Sequence, residues 1–290
     1  MNNLDQSVIQ AFGEEWRKFD HAGLGNPDLE ATFQSYFSIF PWHELPPNAE
    51  GFDMGCGTGR WAHFVAQRVR HLHCIDASAP ALDVARRNLH THTNCSFYCA
   101  SVEAIPLVDS SMDFGYCVGV LHYVPDPQQG VKECMRKLKP GAPLLLYLYY
   151  AFDNRPVWFR MVWRASDFVR RFISRLPFTV KSPLCDLIAA LVYWPLARIS
   201  RLLEKFKVDT SLVPLSAYRH RSFYTMRTDA LDRFGTPMEK RFTRNEIRRM
   251  METAGFERIV FSESPCWCAL GYRKAESSRV KPSQAEMTIA

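Results

Sequence analysis

The chain has 290 residues, of which 47% are hydrophobic and 23% are charged. This mixture is typical of a globular protein and excludes a wholly disordered chain. The length allows either one enlarged domain or a domain that carries a substantial insertion.

The distribution of charge and the cysteines indicate a basic segment and a protein with reduced thiols. The formal net charge is +6, but residues 155–207 hold eleven Lys or Arg against three Asp or Glu, so this segment alone carries +8 and the rest of the chain −2. The nine cysteines lie in scattered apolar contexts and indicate reduced thiols. Cys266 and Cys268 form only a C-x-C pair, which lacks the further ligands of a structural zinc site, so we expect no metal.

Targeting signals are not evident in the sequence. The N-terminal residues combine neither a basic start nor an unbroken apolar run, so we expect no secretory signal. Residues 187–197 are the most apolar segment, yet they are short for a membrane span and Pro195 interrupts them. We therefore predict a soluble, cytoplasmic protein.

Residues 1–48 form the first predicted unit. Their aromatic side chains recur at helical spacing in places, and three prolines close the segment. We predict an N-terminal helical segment of one or two helices, which lies against a main domain and could act as a lid.

Strand-like and helical runs alternate in residues 49–150. The predicted strands are GFDM, LHCID, CSFYCAS, MDFGYCVGV and LLLYLYY, and the predicted helices are WAHFVAQRV, APALDVARRNLH and residues 128–138. Alternation of this kind predicts an α/β domain with a parallel sheet covered on both faces.

The alternation stops in residues 151–242, which we predict to form a helical cap or substrate-binding insertion. It resumes at residue 243 and completes the core domain over 243–274. There Thr243 is the expected N-cap, Glu246 completes a capping box, and Gly255 ends the helix. Two strand-like runs follow, and the polar residues 275–290 are predicted to be a disordered tail.

The clearest functional motif is the glycine loop GFDMGCGTGRWA, residues 51–62. It joins a strand to a helix, where backbone N–H groups and the positive helix end favour an anionic ligand group. Its G-x-G-x-G spacing differs from the dinucleotide fingerprint, and no G-K-[ST] closes it as in a phosphate loop. Asp53 precedes the glycines, and Asp76 ends the next strand, where a carboxylate can bind ribose hydroxyls. Together these features favour a nucleoside with an amino-acid end.

The order of the motifs resembles that of the class I S-adenosylmethionine-dependent methyltransferases of the small-molecule type. DMGCGTGR is similar to their first motif, CIDAS to the acidic second, residues 100–127 to the adenine-side loop and fourth strand, and LKPGAPLLLYLY to the fifth strand. The resemblance covers residues 50–150 and 243–274. It implies a doubly wound, Rossmann-like sheet of order 3-2-1-4-5-7-6, mostly parallel, with a C-terminal antiparallel hairpin strand and a helical insertion after strand 5.

The same resemblance implies that S-adenosylmethionine is the cofactor and S-adenosylhomocysteine the product. It places the glycine loop at the methionine end, Asp76 and its neighbour at the ribose and adenine, and the fourth strand end near the sulfonium. The N-terminal FGEEW is similar to a segment that closes over the cofactor. The predicted cofactor-binding residues are Trp16, Asp53, Gly55, Cys56, Gly57, Gly59, Asp76, Ala77, Ser101, Val102, Glu103, Gly119 and Leu121.

Methyl transfer to a small-molecule acceptor is the activity that the resemblance implies, with O, N and C acceptors all open. In-line positioning of nucleophile, methyl carbon and sulfur would supply much of the acceleration. A hydroxyl or phenol would also need a base, for which His122 is the first candidate and His220 the second. A protein that binds the cofactor without turnover is the alternative from another class.

The acceptor is expected to be recognised by residues 151–242, of which residues 229–242 are expected to line its pocket. Arg219, Arg221 and Tyr224 could bind a carboxylate or phosphate of the acceptor, or could belong to a surface ion-pair network.

Residues 158–176 predict a basic amphipathic helix. Arg160, Arg164, Arg171 and Arg175 fall on the face opposite to the aromatic side chains. We interpret it first as a cap helix that buries its aromatics over the active site. The alternative is peripheral contact with an anionic membrane, which would give access to a lipid-like or isoprenoid acceptor. No recognised RNA-binding module accompanies the charge, so we expect no nucleic-acid partner, and the oligomeric state stays open.

Overall fold

The computed structural model describes residue 3 and residues 5–21, 27–153, 155–210, 212–263 and 267–275. Cys266 and the predicted disordered tail beyond residue 275 lie outside these ranges. Two helices precede the sheet, α1 (Gln6–Lys18) and α2 (Pro27–Tyr36). Helix α1 begins after Asp5, whose side chain accepts hydrogen bonds from the N–H groups of Ser7 and Val8.

The core is a seven-stranded sheet with helices on both faces. Its elements are β1 (Glu50–Met54), α3 (Ala62–Ala66), β2 (His71–Asp76), α4 (Ala79–Asn88), β3 (Cys95–Cys99), β4 (Phe114–Val118), α5 (Pro127–Lys137), β5 (Pro143–Tyr147), α10 (Arg244–Ala254), β6 (Phe256–Phe261) and β7 (Ala269–Arg273). The strand order is β3-β2-β1-β4-β5-β7-β6. Strands β1 to β5 are parallel, whereas β7 is antiparallel to both β5 and β6. The predicted fold class and strand order are confirmed.

Local signals set the bounds of helix α10 as predicted. The Thr243 side chain accepts from the N–H of Glu246, and the Glu246 carboxylate accepts from the N–H of Thr243, which completes the capping box. Gly255 ends the helix in the left-handed region at φ 106°.

Two glycine and phenylalanine pairs interlock at the centre of the sheet. In the pairing of β1 with β4, Gly51 lies opposite Phe114 and Phe52 lies opposite Gly115. A Cβ atom at Gly115 would stand 2.4 Å from the Phe52 ring, and one at Gly51 would stand 2.4 Å from the Phe114 ring. Both phenylalanines are fully buried, on opposite faces of the sheet. Each ring therefore uses space that only glycine leaves open.

Gly115→Ala is expected to destabilise the protein by roughly 1–3 kcal/mol, because the added methyl group overpacks a buried ring that cannot move into solvent. Urea unfolding followed by circular dichroism measures the change. Val260→Ala on the edge strand β6, where the side chain is 48% exposed, is the matched control and should change stability by less than about 0.5 kcal/mol. An unchanged free energy of unfolding in the Gly115 variant would contradict the interlock.

Residues 151–242 are mostly helical. They form α6 (Val157–Ile173), α7 (Phe178–Ile188), a π-helical turn (Ala189–Tyr193), α8 (Trp194–Lys205) and α9 (Phe223–Gly235). Their buried side chains make a core of their own, which also includes Phe19 from the end of α1. The end of α1 and the insertion are therefore packed together.

Pro195 does not interrupt the apolar segment as we predicted. The chain stays helical from Phe178 to Lys205, and the π turn accommodates the missing N–H group of the proline. By length and composition this is one helix in the described part of the chain that could cross a membrane, and 33% of its most apolar window is buried.

The expected burial of Phe168 and Phe172 on helix α6 is wrong, although Phe159 and Trp163 of the same helix are half-buried. Phe168 is 77% exposed and Phe172 is 68% exposed. The inward face instead carries a buried ion pair, in which Arg170 Nε donates to Asp167 Oδ1 at 2.7 Å. Arg170 also donates to the carbonyl oxygen of Thr236 at 2.8 Å, which fastens the polar side of α6 to the end of α9. The predicted basic face, with Arg160, Arg164, Arg171 and Arg175, is exposed as expected, so the inner side of α6 is a third face that the pattern did not indicate.

Candidate active site

A cleft of about 120 Å³ opens at the carboxyl ends of the central parallel strands. The glycine loop after β1, Asp76 at the end of β2 and Gly119 after β4 line one side, and Trp16 of α1 covers the other. Ligands of open α/β sheets bind at this edge, because the strand ends and the loops that follow them leave a crevice there.

Positive φ angles shape the loop. Gly55, Gly57 and Gly59 have φ values of 81°, 52° and 79°, which residues other than glycine rarely adopt. A Cβ atom at Gly55 would stand 2.2 Å from Val120 Cγ2, and one at Gly57 would stand 3.3 Å from Trp16 Nε1. The loop therefore depends on glycine for its backbone conformation and for close approach to its neighbours.

The loop amides are not free for an anion, as the sequence argument assumed. The N–H groups of Gly55 and Cys56 donate to the carbonyl oxygen of Ile75, at 2.7 and 3.0 Å. The N–H of Gly57 donates to Asp76 Oδ2 at 2.8 Å, and the N–H of Ser78 donates to Asp76 Oδ1 at 2.8 Å. Asp76 thus ties the loop to helix α4, and each of its oxygens keeps a lone pair for a ligand hydroxyl.

Two acidic groups at the strand ends differ from ordinary carboxylates. Burial raises the pKa of Asp76 above its usual value, and its backbone hydrogen bonds oppose this only in part. Burial raises the pKa of Asp53 well above its usual value. A hydrogen bond with the Tyr116 hydroxyl opposes this rise only in part, so Asp53 is a buried acid at the end of β1.

The structure brings most of the predicted cofactor residues to this cleft. On its wall lie Trp16, Gly55, Cys56, Gly57, Asp76, Ala77, Ser101, Val102 and Gly119. Four others lie behind the wall, namely Asp53, Gly59, Glu103 and Leu121. Leu121 is fully buried in the core, and Glu103 accepts a hydrogen bond from the N–H of Asn3 at 2.6 Å. These two positions are suited to support the cleft rather than to contact a ligand.

A second cavity, of about 930 Å³, adjoins the cleft. Aromatic side chains from α1, α2, β5 and α6 and polar groups of α9 line it. The two spaces share six residues, which are Phe12, Trp16, Arg60, Trp61, Val118 and Gly119. A molecule in the large cavity would therefore meet the reactive end of a ligand in the cleft at this shared wall.

Comparison with known proteins agrees with the fold. The family model described as a methyltransferase domain matches residues 52–146, which include part of β1, all of β2 to β4 and nearly all of β5. A malonyl-[acyl-carrier protein] O-methyltransferase from Serratia marcescens is 25% identical over 174 residues, 60% of this chain and 64% of the relative. A ubiquinone biosynthesis O-methyltransferase from Hahella chejuensis is 28% identical over 184 residues, 60% of this chain and 73% of the relative.

Residues 52–146 form a methyltransferase domain with the class I, Rossmann-like strand order. The aligned region spans somewhat less than two thirds of the Serratia relative, and the family model ends before the insertion. Among solved structures, one chain of a complex that contains the Haloferax volcanii Trm112 methyltransferase activator has a TM-score of 0.52 and 13% identity, over 90% of this chain and 97% of that one. This likeness shows the shared fold alone.

The insertion places a carboxylate between the two cavities. Asp232 of α9 lines the large cavity and accepts hydrogen bonds from the hydroxyls of Tyr123, at 2.6 Å, and Tyr149, at 2.7 Å. Tyr123 lines the cleft, and Tyr149 lines the large cavity. Burial raises the pKa of Asp232 to about 6, although both tyrosines lower it. At neutral pH this group is ionised and still basic enough to accept a proton.

Neither histidine predicted as a base has a position that supports the role. His122 is fully buried, lines neither cavity and stacks on Tyr149 with 3.9 Å between ring centroids. Burial and the nearby Arg241 lower its pKa well below the usual value. His220 is exposed, and its Nε2 atom pairs with Glu204 at 2.6 Å, away from both cavities.

Sequence reasoning missed several polar groups of the cavity wall, among them His21, Arg60, Asp229 and Asp232. Burial and Arg60 lower the pKa of His21 to about 3, which makes it a weaker base than Asp232. Two signals could have indicated the others. Arg60 directly follows the glycine loop, and Asp229 and Asp232 stand three residues apart in a helical run inside the segment expected to line the pocket.

Two of the three predicted substrate-binding residues line the large cavity, and the third does not. Arg221 and Tyr224 lie on the wall of the large cavity. Arg219 does not, because its Nε atom donates to Glu204 at 2.8 Å in the same surface cluster as His220. The ion-pair alternative therefore describes Arg219, whereas Arg221 and Tyr224 stay candidates for acceptor binding.

Glu50, His71 and His73 are close enough to hold a metal ion, at the opposite ends of β1 and β2 from the cleft. His73 Nε2 pairs with Glu50 Oε1 at 2.7 Å, and His71 Nε2 contacts Ser96 Oγ at 2.9 Å. Hydrogen bonds within the protein thus already satisfy these atoms, and the expectation of a metal-free enzyme stays a prediction.

Proposed function

We propose that this methyltransferase transfers a methyl group from S-adenosylmethionine to a hydroxyl group of an apolar small molecule held in the 930 Å³ cavity. The single observation that carries the proposal is the position of Asp232 between the two cavities, bonded to one tyrosine from each. The names of the two relatives, both O-methyltransferases, also favour an oxygen acceptor.

The residues of the cleft fit the proposed cofactor. Asp76 would offer lone pairs to the ribose hydroxyls. Ala77 and Ser101 lie on the same cleft wall and would contact the adenine side of the cofactor. Arg60 stands where the two cavities meet and offers a cation to the carboxylate of the methionine end. When bound, S-adenosylmethionine supplies a methyl group that its sulfonium charge has already activated.

The chain's own contribution would be orientation, exclusion of water and removal of one proton. The aromatic wall holds the acceptor with its hydroxyl toward Gly119, and the rings of Phe12 and Trp16 shield the shared wall from solvent. Asp232 would accept the hydroxyl proton as the oxygen–carbon bond forms and the sulfur–carbon bond breaks, so the products are a neutral methyl ether and S-adenosylhomocysteine. Tyr123 and Tyr149 hold the carboxylate in place through their hydrogen bonds.

Two measurements test the proposal in sequence. Isothermal titration calorimetry with S-adenosylmethionine measures cofactor binding, and a screen of apolar phenols, alcohols and amines with detection of S-adenosylhomocysteine measures turnover. Turnover with hydroxyl acceptors but not with amines of the same shape is the expected result. Binding without turnover on any acceptor would favour a cofactor-binding protein without catalysis, and turnover confined to amines would exclude the oxygen acceptor.

A further inference from the structure

The insertion exposes an unusual number of large apolar side chains. We call this surface the insertion face and define it by the exposed apolar residues of α6, α7, the π turn and α8, which are Val157, Trp158, Met161, Val162, Phe168, Val169, Phe172, Val180, Leu187, Leu191, Val192, Trp194, Ile199 and Leu202. Exposed apolar surface of this extent usually marks a site of contact with a protein or a membrane.

Charge on the same helices indicates what the face contacts. Five basic side chains are exposed on the same part of the chain. They are Arg160 and Arg164 of α6, Arg175 just after α6, and Arg201 and Lys205 of α8. The three acids of residues 155–207 are already paired with cations. The face is therefore apolar with a basic border, which is complementary to the acyl chains and anionic headgroups of a lipid surface.

Ion pairs attach helix α7 to helices α1 and α9. Asp186 of α7 accepts from Lys18 of α1 at 2.7 Å and from Arg227 of α9 at 2.9 Å. Cys185 and Ala197 on the same side are fully buried against the insertion's own core. One side of the helix Phe178–Lys205 is thus fixed to the soluble domain, so a membrane would meet only its other side.

The insertion face continues into the wall of the large cavity. Val162 and Val169 of α6 and Val192 of the π turn belong to both, since each is exposed and each lines the cavity. Phe159 and Trp163 extend the apolar wall inward from the same helix. An apolar molecule could pass from a surface that covers the face into the cavity without crossing water.

We propose that the insertion face docks on an anionic lipid bilayer and that the acceptor is a lipophilic hydroxyl compound that enters the cavity from that bilayer. The entry of the acceptor rests on the proposed function, whereas the docking does not. Aromatic and aliphatic side chains enter the headgroup region, and the arginines and lysines at the border contact lipid phosphates.

Vesicle flotation of the full chain tests the docking, with vesicles of phosphatidylcholine alone and of phosphatidylcholine mixed with phosphatidylglycerol. We expect the protein to float with the mixed vesicles and to be released as salt rises, because screening weakens the contact with anionic headgroups. The double variant Phe168→Ser, Phe172→Ser should lower the bound-to-free ratio about tenfold or more, since it removes two side chains that enter the bilayer. Arg164→Glu with Arg175→Glu should remove the preference for phosphatidylglycerol.

Val108→Ser is the matched control, because Val108 is 76% exposed in the core domain, outside the insertion face. Its flotation should equal that of the unchanged protein. A folded protein that stays free of both kinds of vesicle would overturn the proposal. So would a dimer in analytical ultracentrifugation that the Phe168→Ser, Phe172→Ser variant converts to monomers, because a second copy of the chain would then cover the face.

Activity assays separate this proposal from the proposed function. Turnover of a short, water-soluble hydroxyl acceptor should be unchanged in the Phe168→Ser, Phe172→Ser variant, whereas turnover of a long-chain acceptor embedded in the mixed vesicles should fall with the bound fraction. Equal loss with both acceptors would assign the phenylalanines to the active site and overturn the entry route. If the unchanged protein floats with the mixed vesicles but methylates neither hydroxyl acceptor, the result would contradict the proposed function and leave the docking proposal standing.

Discussion

Asp232→Asn is expected to lower kcat for a hydroxyl acceptor by roughly 100-fold or more while S-adenosylmethionine binding stays nearly unchanged, because the amide cannot accept the proton and general-base catalysis contributes at least this factor. The variant has nearly the same shape, and it can still accept a hydrogen bond through its oxygen. Steady-state formation of S-adenosylhomocysteine and calorimetric titration of the cofactor measure the two effects.

The pH profile distinguishes a base from a merely structural carboxylate. Asp232 has a pKa of about 6, so the reactive ionised form is lost as the pH falls through this value, and kcat/KM of the unchanged protein should fall there. Tyr123→Phe removes a hydrogen bond that lowers this pKa, so the acidic limb should move to higher pH. A structural role would leave the limb where it was.

Asp229→Asn is the matched control. Asp229 stands one turn earlier on α9, lines the same cavity and accepts from the Tyr218 hydroxyl at 2.7 Å, but its tyrosine does not reach the cleft. We expect it to change kcat much less than the Asp232 variant does. Equal losses in the two variants, or a normal rate in Asp232→Asn, would contradict the assignment of Asp232 as the base.

The cofactor domain could be predicted from the sequence because its signals are local. Buried parallel strands appear as short continuous apolar runs, and the glycines of the loop and the caps of α10 fix the turns between elements. Once the strand order is set by connectivity, the ends of β1, β2 and β4 must meet at one edge of the sheet. Asp76 and Gly119 therefore reach the cleft for reasons that the sequence contains.

The acceptor side depends on tertiary contacts that the sequence does not show. The Leu121–Tyr123 turn directs His122 into the core under Tyr149 and leaves Tyr123 facing the cleft, so the prediction missed the polar residue of the wall by one position. Asp232 reaches the same place only because α9 packs beneath α1 and α7. The spacing of residues in the sequence cannot tell which of two adjacent side chains in a short turn faces the cleft.

The amphipathic pattern of α6 shows a second limit of the same kind. A helical period separates an apolar face from a polar one, and the usual assumption is that the apolar face is buried. Here Phe168 and Phe172 of the apolar face lie outside. The inner side carries the buried pair of Asp167 and Arg170 and the half-buried Trp163. The assumption fails because a hydrogen-bonded ion pair can satisfy an inner face when another partner is available for the apolar one.

Asp76→Ala is expected to weaken S-adenosylmethionine binding by roughly 1.5–3 kcal/mol, which is about a 10- to 150-fold rise in Kd. Calorimetric titration measures it. Asp83→Ala on helix α4 removes the same charge from an exposed position and should leave Kd unchanged within about twofold. An unchanged Kd in the Asp76 variant would remove this residue from the cofactor site.

The structure adds a second reason for that loss, which the experiment must separate from the first. Asp76 also accepts the N–H groups of Gly57 and Ser78, so alanine would leave the loop amides unpaired even if the carboxylate touched no ligand. Binding of S-adenosylhomocysteine and of its 2′,3′-dideoxy analogue to both proteins resolves the two causes. If Asp76 binds the ribose, the unchanged protein prefers the hydroxylated ligand and the variant loses that preference. If it only holds the loop, the variant binds both ligands more weakly and by the same factor.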